Sequence, residues 1–157
     1  MVWIVLSIFA VGFGVLFYYA RKADKKMIAE GKIIYRRENF MENAEEFILA
    51  AVAPERVTEA VNALDYADMY TSMRGNSENQ KFVFASNYWG AQLYRISSDE
   101  DQVIYRFEFT NWQTRDDLAK NGLNMNKLTT AIEKVFLALD PNTQVRTVPL
   151  SFKTKTQ

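Results

Sequence analysis

Apolar and polar residues follow three different rhythms along this chain. From Val2 to Ala20 there is no charged residue. A helix over that run, at ~1.5 Å per residue, reaches roughly 28 Å, close to the ~30 Å hydrocarbon layer of a bilayer. Trp3 at one end and Tyr18 and Tyr19 at the other sit where an aromatic belt lies. The pattern predicts a transmembrane helix over residues 1–20. A buried core helix competes with it, but surface domains seldom hold so long a helix with no polar face. A cleaved signal peptide fits poorly, because the basic cluster follows the apolar run and no small-x-small site closes it.

Beyond the run, the rhythm shortens. Residues 24–32 continue a helix that Gly31 stops. Glu42 to Glu46 reads as a polar helical turn or bend, and Phe47 to Val52 as a short strand. Pro54 opens a helix over about 54–68, with Val57, Ala60, Val61 and Leu64 on its apolar side. Residues 71–80 have the composition of a surface loop. Three strands follow: one around Phe82 and Phe84, one from Leu93 to Ile96, and one in which Val103, Tyr105, Phe107 and Phe109 alternate with Ile104, Arg106, Glu108 and Thr110. Turns are expected at Asn87–Gly90 and at Ser97–Gln102.

A second helix starts near an Asn124 N-cap, with Leu123 and Leu128 as a hydrophobic staple. Its stripe is Leu128, Ala131, Ile132, Val135, Phe136 and Leu139, and Asp140-Pro141-Asn142 ends it. A last strand over about 144–153 carries Pro149, which suits an edge. The expected fold class is α+β in the order β-α-β-β-β-α-β. Two helices pack on one face of a largely antiparallel sheet, because each element must bury one apolar side. The segments are a transmembrane helix (1–20), a basic juxtamembrane connector (21–45) and a cytoplasmic domain (46–157).

Charge sets the topology. Net charge is zero, with 19 basic and 19 acidic residues, which argues against a nucleic-acid binder. The distribution is uneven. Arg21, Lys22, Lys25, Lys26, Lys32, Arg36 and Arg37 face only Asp24 and Glu30 over 21–37. Basic residues on the C-terminal side of the span point that side to the cytoplasm, with the N-terminus outside the cell membrane. Arg21, Lys22, Lys25 and Lys26 are also placed to meet anionic lipid head groups. Ala10 and Gly14 form a small-xxx-small pair through which two copies could dimerise.

Chemistry is sparse. The chain has no cysteine and no histidine, so it lacks a thiolate nucleophile, the usual base near neutral pH and the commonest neutral metal ligand. Glu42 with Glu46, and Asp65 with Asp68, are helix-spaced acid pairs that read best as solvated surface. Asp99-Glu100-Asp101 reads as a hairpin tip rather than a calcium loop. Ser86, Ser97 and Ser98 have no histidine to activate them. No cofactor, metal or catalytic residue is expected.

Aromatic residues carry more. Tyr88 and Trp89 fall at a turn and Trp112 in a polar connection, where rings either anchor a partner or close the end of a small core. The favoured function is non-catalytic: holding a protein partner at the cytoplasmic face of a membrane, with Tyr88, Trp89 and Trp112 as contacts. The alternatives are a tethered domain for a small apolar ligand or lipid, enclosed between sheet and second helix, and a membrane-associated hydrolase using carboxylates.

Overall fold

The computed structural model describes residues 15, 18–19, 21–34, 42–76, 78–116 and 118–151. The chain divides into two compact units, Met1–Tyr35 and Arg36–Gln157. In the first, residues 21–29 are helical. Gly31 ends that helix as expected, with a left-handed φ of 66°. Its N–H donates to the Ile28 carbonyl at 2.9 Å, and that of Lys32 to Met27 at 2.8 Å, the paired bonds of a Schellman cap. Among the described residues no helix is long and apolar enough to cross a membrane. The predicted span, and Ala10 and Gly14 with it, lies largely outside the described residues.

The second unit is α+β. Its strands are β1 (Asn43–Ala50), β2 (Ser72–Asn76), β3 (Lys81–Ala85), β4 (Trp89–Ser98), β5 (Gln102–Trp112), β6 (Thr114–Arg115), β7 (Leu118–Ala119) and β8 (Gln144–Pro149). Its helices are α1 (Pro54–Asn62) and α2 (Gly122–Leu139). Six strands form one sheet in the order β2-β3-β4-β5-β1-β8, and β6 and β7 make a separate small ribbon. Every recorded pairing is antiparallel.

Both helices contribute to one core on one face of the sheet. The alternation in β5 is as read from the sequence: Val103, Tyr105, Phe107 and Phe109 are buried. Against them pack Phe47 and Leu49 of β1, Phe82 and Phe84 of β3, and Leu128, Ile132 and Phe136 of α2. Phe47 stacks on Phe136 with centroids 4.5 Å apart. Each such side chain stabilises the fold by about 1.5–3 kcal/mol through area removed from water.

Several boundaries differ from those expected. The segment around Glu45 and Glu46 is strand rather than helical turn, and β1 begins at Asn43 inside the expected connector. The helix opened by Pro54 ends at Asn62. Asp65 then builds a turn, its Oδ1 accepting from the backbone N–H groups of Ala67 (3.1 Å) and Asp68 (3.4 Å). Residues 72–76, expected as loop, pair with β3 along the edge of the sheet. Their polarity suits an edge strand, which packs little and faces water. The helix α2 starts two residues before the expected cap. Asn121, in a left-handed conformation (φ 65°), precedes it, and Asn124 is buried inside, donating from Nδ2 to Asn121 Oδ1 at 3.0 Å.

Candidate functional site

At one end of the sheet, the turn before β4 and the end of β5 enclose a recess of about 440 Å³. Ser86, Asn87, Tyr88 and Trp89 form one wall. Thr110, Asn111, Trp112 and Gln113 form the other. Pockets of this size hold small ligands or a short piece of a larger one.

The walls follow from local sequence. Ser86 Oγ accepts from the N–H groups of Tyr88 and Trp89, both at 3.1 Å, and Ser86 N–H donates to the Trp89 carbonyl at 2.9 Å. A short hydroxyl side chain that bonds its own backbone two and three residues on is what a tight turn needs. On β5, Trp112 pairs with Trp89 and Asn111 with Gly90, but Ala91 pairs with Phe109, so Thr110 is the extra residue of a β-bulge. A bulge re-aims the side chains beside it. Gly90 leaves room for them, since a Cβ there would sit 2.8 Å from Asn111 Nδ2 and 3.1 Å from Thr110 Oγ1. Gln113 N–H donates to the Tyr88 carbonyl at 2.8 Å and ties the two walls together.

The three aromatic residues singled out from the sequence are thus brought together in one wall-to-wall arrangement, with unequal roles. Trp89 and Trp112 are buried, at 2% and 8% exposure, and close the end of the core. Trp89 packs edge-on against Phe109 at 5.6 Å. Its Nε1 is buried without a hydrogen-bond partner among the described residues. Tyr88 is 42% exposed, with Lys120 Nζ 5.7 Å from its ring centre. The polar half of the recess, above all Asn87, Asn111 and Gln113, carries no signal in the sequence beyond a turn-like composition, because a bulge is a property of two paired strands.

A second cluster occupies the opposite face of the sheet. Glu46 is buried between two arginines: Arg106 donates to Oε1, from Nε at 3.0 Å and also from Nη2, and Arg146 donates to Oε2 from Nε at 2.9 Å and Nη2 at 2.6 Å. Register explains the contact, since Glu46 lies opposite Arg106 on one side and Arg146 on the other. Burial pushes the Glu46 carboxyl up, but the two guanidinium groups pull harder and hold it below 4.5. Glu108, fully buried, accepts from Gln92 Nε2 (3.0 Å), Tyr94 OH (2.9 Å), Ser151 N–H (3.0 Å) and Ser151 Oγ (2.6 Å). There too burial opposes ionisation, and the donors, Ser151 first, hold the carboxyl below its ordinary value.

The remaining sequence candidates separate. Arg21, Lys22, Lys25 and Lys26 lie on the helix of residues 21–29 with exposed side chains; Lys26 reaches Glu30 at 3.7 Å. Glu46 sits in a strand, so it forms no helix-spaced pair with Glu42. Asp68 pairs with Lys127 at 3.1 Å while Asp65 serves its turn. Asp99 Oδ1 accepts from the backbone of Asp101 (3.1 Å) and Gln102 (2.7 Å), which makes the hairpin tip a turn. No group of three acidic ligands converges among the described residues. Comparison with family models, with curated proteins and with solved structures finds no match.

Proposed function

We propose that this protein is a single-pass membrane protein that holds a protein partner at the cytoplasmic face of the cell membrane, without catalysis. The apolar run from Val2 to Ala20 serves as the tether, and the basic residues Arg21, Lys22, Lys25 and Lys26 keep their side inside and lie against anionic head groups. The partner docks at the recess beside Tyr88. The observation that carries this reading is the recess itself: a pre-formed hollow, at one end of a rigid sheet, that gathers the chain's turn aromatics with exposed polar side chains.

Two other readings have less support. A ligand held between sheet and helix needs space where Phe47, Tyr105, Leu128, Ile132 and Phe136 are each fully buried and in contact. A carboxylate hydrolase needs one acid to hold its proton near neutral pH, whereas Glu46 and Glu108 are both pulled toward ionisation.

A photo-crosslinking amino acid at position 88 of the full chain, expressed in its own cells, tests the reading. The expected result is a discrete covalent protein adduct that is missing when the same group stands at Val83, another exposed position. Equal labelling from both positions, or none, sinks it. Protease added outside intact cells is expected to spare the folded domain; digestion there reverses the topology.

A further inference from the structure

We infer that the recess accepts an extended segment of the partner polypeptide that carries no cationic side chain, and grips it through backbone amide groups; this rests on the partner-binding reading above. The lining contains no ionisable side chain other than the Tyr88 phenol. A cationic side chain entering it would lose water, gain no counter-ion and meet the Lys120 ammonium beside Tyr88 and Gln113, which is costly. What the lining offers instead is three carboxamides, Asn87, Asn111 and Gln113, and a carboxamide carries the same donor and acceptor pair as a peptide unit.

In two of the carboxamides an intramolecular bond engages one half and leaves the other to bind. Gln113 Oε1 accepts from Lys120 Nζ at 3.1 Å, so its Nε2 is left to donate. Asn111 Nδ2 donates to Thr110 Oγ1 at 3.1 Å, so its Oδ1 is left to accept. The Asn87 side chain makes no hydrogen bond among the described residues and can do either. A donor at Gln113 and an acceptor at Asn111 complement the C=O and N–H of an extended backbone, whose polar groups point sideways in alternation. The Tyr88 ring and the indole edges supply the apolar contact for a small or cyclic side chain. The walls need little ordering on binding, since the Ser86 turn, the Trp89–Trp112 pair and the Gln113–Tyr88 bond already hold them.

The test uses the full chain in detergent, labelled with fluorinated tryptophan, and four probes. These are decapeptides built from Ser, Thr, Asn, Gly and Pro, the same peptides with lysines added, the same with glutamates added, and a neutral trisaccharide. Neutral and glutamate-bearing decapeptides are expected to shift the Trp112 resonance and to bind at least tenfold more tightly than the lysine set. Gln113→Glu, which keeps shape but loses the donor, is expected to weaken them by about tenfold, as is Asn111→Leu. Gly90→Ala, which displaces the Asn111 carboxamide without entering the core, should weaken them with the unfolding midpoint nearly unchanged. Equal or tighter binding of the lysine set, or binding indifferent to Gln113 and Asn111, overturns the inference; a protein crosslink at position 88 then still leaves partner binding standing. Binding of the trisaccharide alone, or of no probe, also overturns it, and with no crosslink at position 88 the partner reading falls as well.

Discussion

Gln80 is held with a left-handed φ of 48°, yet its side chain is almost wholly buried. Its Oε1 accepts from Tyr105 OH at 2.8 Å, and its Nε2 donates to Thr58 Oγ1 at 3.1 Å. One side chain therefore joins the β2–β3 turn to β5 and α1, and the strained backbone is the condition for reaching inward. Burial pushes the Tyr105 phenol up to about 12, with Arg95 pulling slightly the other way, so it stays a donor throughout the neutral range. Gln80→Ala takes the acceptor from the buried Tyr105 hydroxyl, while Thr58 keeps its bond to the Pro54 carbonyl, and is expected to cost about 1–3 kcal/mol in a urea melt. Gln80→Gly should recover part of that by relieving the φ. Glu108 and Glu46 make the fold acid-sensitive. Their folded pKa values lie below 4.5, so their contribution is complete above that pH and is lost as acid protonates the folded carboxyls. A midpoint that falls steeply on acidification below about 4.5, and less steeply in Glu108→Gln, is the expected titration; a flat profile would remove the two carboxylates from the stability of the fold.

Among the elements, β1 departs most from what its residues suggest. Glu42, Glu45 and Glu46 look like a solvated bend, and without long-range partners they would be one. Cross-strand arginines from β5 and β8, 60 and 100 residues away, neutralise Glu46 and let the strand extend into them. The two arginines are unequal, with side-chain exposures of 21% for Arg106 and 57% for Arg146. Arg106→Ala should therefore destabilise by about 2–3 kcal/mol, since it leaves a buried carboxylate half-paired, and Arg146→Ala by about 1 kcal/mol or less, because water replaces it. Equal losses in chemical denaturation would contradict that ranking. The stripe of α2 and the alternation in β5 were legible because each buries a single face. The strand β2 was not, since a polar edge strand and a loop share one composition.

Taken together, the sheet is closed by distant pairings. The strand β8 lies against β1 with Asn43 opposite Pro149, so among the described residues the strand pairing of greatest sequence separation is made by the last strand. Pairings of such sequence separation slow folding, because loop closure must precede any gain from contact. Truncation after Asn142 removes β8, strips Arg146 from Glu46 and bares the edge of β1. The expected outcome is loss of the cooperative urea transition and concentration-dependent aggregation, measured by circular dichroism and light scattering. A truncated chain that melts cooperatively at the original midpoint would show that β8 is dispensable.

Local pattern was enough for the α+β class, for the apolar faces of β3, β5 and α2, for the Gly31 helix stop and, to within a residue or two, for the turns expected at 87–90 and 97–102. In each case the deciding contacts lie within a few residues of one another or repeat with the period of a single element. Three-dimensional pairing alone settled the strand character of β1 and β2, the arginine clasp on Glu46, the burial of Trp89 and Trp112 behind an exposed Tyr88, and the bulge that turns Thr110 and Asn111 into the recess. These depend on which distant residue stands opposite, and register between strands leaves no mark on either strand taken singly.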